Sequence, residues 1–194
     1  MSNMARKGNS AKARSTGISL VEVVVVVSII GILAALAFPS FTEMFGRSRL
    51  RSSAEQIRAD LNLARSEALK RNKTIVIAFK VNADSTWCYG LKALVACDCT
   101  VTDTSASNFC QLDSDAGGAG IATTVSSDSY RGITFSGTPF GGNLFFSSVR
   151  PTLTASSATL ASNNTGASIR VVASGLGRVR FCSPDGSLSG YPSC

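Results

Sequence analysis

The sequence predicts an α+β fold in which one long amino-terminal helix is followed by an antiparallel, β-rich domain. Three observations carry this. Apolar residues recur with a helical period as far as about Arg71 and with a period of two beyond it. A 16-residue run from Val23 to Phe38 holds no charge. All six cysteines lie after that run, in sequence rich in Ser, Thr and Gly.

The helix comes first. Val23–Phe38 is interrupted only by Ser28 and Gly31, and at about 1.5 Å per residue it spans roughly 24 Å. Extended to Ile18–Phe41, the segment reaches roughly 36 Å, enough for a bilayer core of about 30 Å. Residues 18–41 are therefore expected to form a single transmembrane helix with one carboxylate, Glu22, near its start. Further on, Leu50, Ala54, Ile57, Leu61, Ala64 and Ala68 fall at spacings alternating between four and three, which makes one apolar stripe. Arg51, Glu55, Arg58, Asp60, Arg65 and Glu67 take the remaining faces. This predicts an amphipathic helix over 42–71. Pro39 and Gly46 are its weak points, since proline removes a donor and kinks the rod and glycine costs about 1 kcal/mol.

From residue 72 to 194 the period of two predicts strands at Thr74–Val81, Thr86–Leu91, Gly132–Ser136, Asn143–Val149, Ser168–Ala173 and Arg178–Cys182. The stretches 100–130 and 152–167, dominated by Ser, Thr, Ala, Gly and Asp, read as surface loops. The sequence shows no internal repeat, and a single domain after the apolar helix is expected.

Net charge is +7, but Arg6, Lys7, Lys12 and Arg14 precede any acid. Residues 18–194 keep 15 basic and 12 acidic side chains, or +3. Whole-chain charge is thus a poor argument for nucleic acid. Basic residues before and after the apolar run number four against three (Arg47, Arg49 and Arg51 follow it), so they decide orientation weakly. The cysteines decide it, because bridges need an oxidising compartment outside the cytoplasm. An even set of six reads as up to three disulfides. Zinc is the competing reading of Cys97-x-Cys99, but one intervening residue is shorter than the two to four that zinc ligands prefer, and no metal site is expected. A bond between Cys182 and Cys194 would pin a Gly/Pro/Ser-rich tail, stabilising by roughly 3 kcal/mol, and is the favoured pair. Pairing among Cys88, Cys97, Cys99 and Cys110 stays open, with Cys97–Cys99 the least comfortable geometry. With no histidine, no clustered carboxylates and no nucleotide loop, neither enzyme chemistry nor a cofactor is expected.

A secretory signal peptide is cut after its apolar region. Here the polar break, Ser15-Thr16-Gly17, stands before it and runs directly into Ile18-Ser19-Leu20-Val21-Glu22. This junction resembles the processing site of type IV pilins, and the resemblance extends over about the first fifty residues after it. It implies a basic leader, residues 1–17, removed after Gly17 by a prepilin peptidase, and N-methylation of Ile18, where phenylalanine is more usual. It also implies assembly roles for Glu22 and Pro39, the fifth and twenty-second residues of the mature chain. Physics points the same way. A lone carboxylate in a membrane helix costs on the order of a few kcal/mol and marks a pairing site. Cleavage creates an ammonium four residues before Glu22, able to pair with Glu22 of a neighbouring subunit. The plainer alternative is that Glu22 snorkels to the interface, which leaves the Gly17 junction unexplained.

The chain order, with Thr86-Trp87-Cys88-Tyr89-Gly90-Leu91 and Cys97-Asp98-Cys99, resembles the FimT/GspH type of minor pilin. That implies the type IV pilin fold, a single pass through the bacterial inner membrane, a periplasmic domain, and assembly with other pilins into a pilus or pseudopilus.

The last two expected strands read as a hairpin. Alternation selects a three-residue loop, Gly175–Gly177, pairing Ser174 with Arg178 and Val172 with Arg180, because a slip of one would bury arginines. Ile169, Val171, Ala173, Val179 and Phe181 then share the buried face, Arg170, Arg178 and Arg180 the other, with Gly177 supplying a left-handed position. Gly177-Arg178-Val179-Arg180 matches the Gly-Arg-x-Arg motif of FimT-like minor pilins that bind DNA in natural transformation. By that resemblance Arg178 and Arg180 grip phosphates, with Arg170 a neighbour added by the register. Two alternatives stand beside this. The arginines protect a sheet edge and meet acidic filament neighbours, or the chain is a type II secretion pseudopilin.

Overall fold

The structure, a computed structural model, describes residues 19–113, 120–148 and 155–194, leaving aside the side chains at 36, 37, 39 and 40. The chain divides into two units, Met1–Ser40 and Phe41–Cys194.

Helix α1 runs over Leu20–Arg71 and continues through Pro39 and Gly46. In the first unit its apolar side chains, from Leu20 to Leu33, are exposed. Among the described residues no helix is long and apolar enough to cross a membrane. The expected span 18–41 extends at both ends over residues outside that description.

In the second unit α1 buries the stripe read from the sequence: Leu50, Ala54, Ile57, Leu61, Ala64 and Ala68 are each at most 1% exposed. The strands are β1 Ile75–Val81, β2 Trp87–Ala93, β3 Gln111–Leu112, β4 Ile121–Ala122, β5 Val125–Ser126, β6 Ile133–Ser136, β7 Asn143–Phe146, β8 Ser156–Ser162, β9 Ser168–Ala173 and β10 Val179–Cys182. One antiparallel sheet has the order β5-β2-β1-β7 and a second β10-β9-β8-β6, with β3 and β4 forming a small pair. The helical stripe shares one core with Ile75 and Ile77 of β1, Trp87, Tyr89 and Leu91 of β2, and Ile169, Val171 and Ala173 of β9. Strand β2 is also buried on its other face, because Cys88 and Gly90 lie against the cysteine cluster.

Two polar contacts inside this core are satisfied. The Tyr89 hydroxyl donates to Asp60 Oδ2 at 2.6 Å, and Trp87 Nε1 donates to the Ile133 carbonyl at 2.8 Å. Burial first, then the Asp60 charge, drive the Tyr89 phenol far above its ordinary range, so it stays protonated and serves as a fixed strut.

The expected loops need correction. The stretch 100–130 contains β3, β4 and β5, and 152–167 contains β8. Strand β8 lies inside the second sheet, paired to β9 on one side and β6 on the other, with Ala158, Leu160 and Ser162 buried. Its small and hydroxyl side chains hide a period of two that the sheet can still bury. The strand expected at Asn143–Val149 closes at Phe146.

Candidate functional site

The hairpin Ser168–Cys182 carries the arginines, and its register is the one alternation selects. Val179 stands opposite Ala173, Arg180 opposite Val172, and Cys182 opposite Arg170. The loop closes with Ser174 N–H donating to the Arg178 carbonyl at 2.9 Å and Gly177 N–H to the Ser174 carbonyl at 2.8 Å. Gly177 adopts φ 73°, where a side chain would be strained. Arg178 and Arg180 are exposed. Both border a hollow of about 500 Å³, whose wall includes Val172 and the Cys182–Cys194 bridge.

Arg170 does not stand free with them. It is half-buried, and its Nε donates to Thr159 Oγ1 at 3.2 Å. The cause is β8. Thr159 is the cross-strand partner of Arg170, so a strand covers the flank where the sequence suggests a loop. The exposed basic pair is therefore Arg178 and Arg180.

The cysteines pair as Cys88–Cys99, Cys97–Cys110 and Cys182–Cys194. Cys97 and Cys99 are thus split between two bridges. Gly90 is the residue that makes room, since a Cβ there would overlap the side chain of Cys110. The tail that the third bridge closes is held by Asp185. Burial pushes its carboxyl up, but bonds from the Ser187 and Ser183 hydroxyls and the Ser187 N–H outweigh that and bring it down to about 2. Arg47 and Arg51 of α1 then donate to the Ser187 and Ser189 carbonyls of the same tail.

Of the assembly residues, Glu22 sits exposed in the first turn of α1. Gly17, Ile18 and the Pro39 side chain lie outside the described residues. Sequence reading missed Arg51 and Arg58 as neighbours of Arg180. Their signal was a spacing of seven, two helical turns along one face.

A long helix whose outer part is buried under antiparallel sheets, with an apolar half left exposed, defines a subunit of the pilin class. Residues 53–187 match the type II transport protein GspH, and residues 12–38 match the prokaryotic N-terminal methylation motif. The chain belongs to the GspH family: it is a minor pilin or pseudopilin of a type IV pilus or type II secretion system, a membrane-associated filament component.

The minor pseudopilin EpsH of the Vibrio cholerae type 2 secretion system is similar to it at 15% identity and a TM-score of 0.47, covering 71% of this chain and 98% of that one. The type IV minor pilin FimU of Pseudomonas aeruginosa is similar at 21% identity and a TM-score of 0.45, covering 72% of this chain and 95% of that one. No curated protein matches the chain.

Proposed function

We propose that the chain is a minor pilin of a type IV pilus whose hairpin contacts DNA for uptake in natural transformation. The observation that carries this is the exposure of Arg178 and Arg180 together beside a left-handed Gly177. Two arginines on phosphates bind without regard to sequence and weakly, with a log–log salt slope of about −2. Arg170, tied to Thr159, adds little. In this reading the chain is a structural subunit and not an enzyme. It crosses the bacterial inner membrane once, with residues 42–194 on the periplasmic side, where its bridges persist. A prepilin peptidase removes residues 1–17, Ile18 is N-methylated, and Glu22 pairs with the new ammonium of a neighbour while Pro39 shapes the packing. The methylation-motif match supports this, since residues 12–38 contain the Gly17–Ile18 junction and Glu22.

The full chain in detergent should retard duplex DNA of any sequence at low salt, and Arg178→Glu with Arg180→Glu should abolish the shift. Equal retardation by the double variant removes DNA from the function. For the leader, replacing Gly17 by a bulky residue should leave the protein uncut. Recovery of the parent from cell envelopes at the mass of all 194 residues would rule out cleavage after Gly17.

The family match favours a second reading, a pseudopilin of a type II secretion system. Deletion of the gene separates the two: loss of transformation supports the first, loss of protein secretion the second.

A further inference from the structure

Strand β10 ends its sheet, and its outer edge is only half used. Ser174 N–H bonds the Arg178 carbonyl, so by antiparallel alternation Arg180 and Cys182 turn their main-chain groups to β9, and Val179 and Phe181 turn theirs outward. The next outward residue, Ser183, fits this parity. Its N–H donates to the Pro192 carbonyl at 2.8 Å and its carbonyl accepts from Cys194 N–H at 3.4 Å. The tail thus occupies the edge at 183. Among the described residues nothing bonds the outward groups of Val179 and Phe181.

In front of that edge lies a groove of about 640 Å³, bounded across from β10 by Arg51, Glu55 and Arg58 of α1 and at one end by Tyr191. The Arg58 guanidinium stacks over the Phe181 ring at 5.4 Å and Arg51 over Tyr191 at 5.9 Å, so both cations are held at the wall. With Arg180 the groove carries three cations against one acid, Glu55, which lies 3.7 Å from Arg58.

We propose that an extended acidic segment of another filament subunit adds as a strand to the outer edge of β10 in this groove. The chemistry selects a polypeptide over nucleic acid. The free carbonyls of Val179 and Phe181 need N–H donors, which a phosphate backbone lacks and a peptide supplies at alternate residues. Glu55 opposes a chain charged at every unit, whereas mixed acidic and apolar side chains suit both the arginines and the aromatic wall. The proposal stands apart from the DNA reading and shares with it only Arg180.

The test uses the full chain in detergent micelles with a fluorescein-labelled hexapeptide of alternating glutamate and valine, and a lysine–valine hexapeptide as the charge control. The glutamate peptide is expected to bind and to slow amide hydrogen exchange at Val179 and Phe181. Arg51→Gln with Arg58→Gln should weaken it at least tenfold while duplex DNA retardation stays at the parent level. Val179→Pro, which removes one outward N–H at an edge position that tolerates proline, should weaken it as well. Absence of binding, unchanged exchange at those two amides, or equal binding of the lysine peptide overturns the proposal. So does a DNA duplex that protects the same amides in the peptide's place, which assigns the groove to nucleic acid.

Discussion

The two halves of α1 are built from one continuous helix and treat their apolar residues in opposite ways. From Leu50 to Ala68 the chain covers its own stripe with two sheets, whereas Val27, Ile29 and Leu33 remain more than half exposed. The difference teaches where stability ends and assembly begins. The outer half needs an apolar stripe one residue wide per turn, because its other faces meet water. The first half is apolar all round, as a helix must be when its whole circumference meets lipid or other helices. One half is a core element of its own domain, and the other leaves its apolar surface uncovered by that domain.

The largest test of that contrast is a pair of truncations. Leu61→Ala, at a site 1% exposed, should cost the domain about 3 kcal/mol. Ile29→Ala, at a site 52% exposed, should change domain stability by less than about 0.5 kcal/mol and lower incorporation into filaments. Urea unfolding followed by Trp87 fluorescence reads the first difference, and equal costs for both would end the distinction.

Glycines sharpen it. A Cβ at Gly46 would lie 2.7 Å from Thr165 Cγ2, whereas one at Gly31 meets nothing within 4 Å. Gly46→Ala should therefore destabilise by about 1–2 kcal/mol despite the better helix former. Gly31→Ala should be neutral or gain up to about 1 kcal/mol of helix stability. A stabilised Gly46→Ala, measured by thermal melting, would mean that the α1–loop contact is loose.

The smallest effect is in pH. The Asp185 carboxyl is lowered from 3.8 to about 2 in the fold. A depressed carboxylate contributes its stability above the unfolded value and loses it as pH falls through the folded one. Between pH 4 and 2 the melting temperature of the parent should drop more than that of Asp185→Asn. Parallel curves would show that the Asp185 bonds to Ser183 and Ser187 do not stabilise the tail.

Much of this was legible in residues alone. The stripe Leu50–Ala68 was readable because a helix pressed on a sheet must repeat at three and four, and the hairpin register because a slip would have turned Arg178 and Arg180 inward. Strand β8 was not readable. Ser156–Ser162 has the composition of a loop, and only its neighbours β6 and β9 make its alternation count. The same composition hides the partner of Arg170: Thr159, on a segment that reads as a loop, stands opposite it in β8 and takes its Nε–H. Gly46 read as a weak point in the rod and proves to be the place where α1 and the loop at Thr165 come close.

What the sequence determined by itself is local or periodic: the helix, its two characters, the amino-terminal methylation motif, and the Gly177 turn with its paired arginines. Such features follow from spacing along one chain, which the order of residues already contains. Tertiary structure decided which cysteines meet, which strand covers Arg170, and that Arg51 and Arg58 stand across a groove from an unpaired strand edge. The last depends on segments more than a hundred residues apart closing on one another; the first two join residues only 11 to 13 apart, but through loops and a strand pairing that no local pattern records.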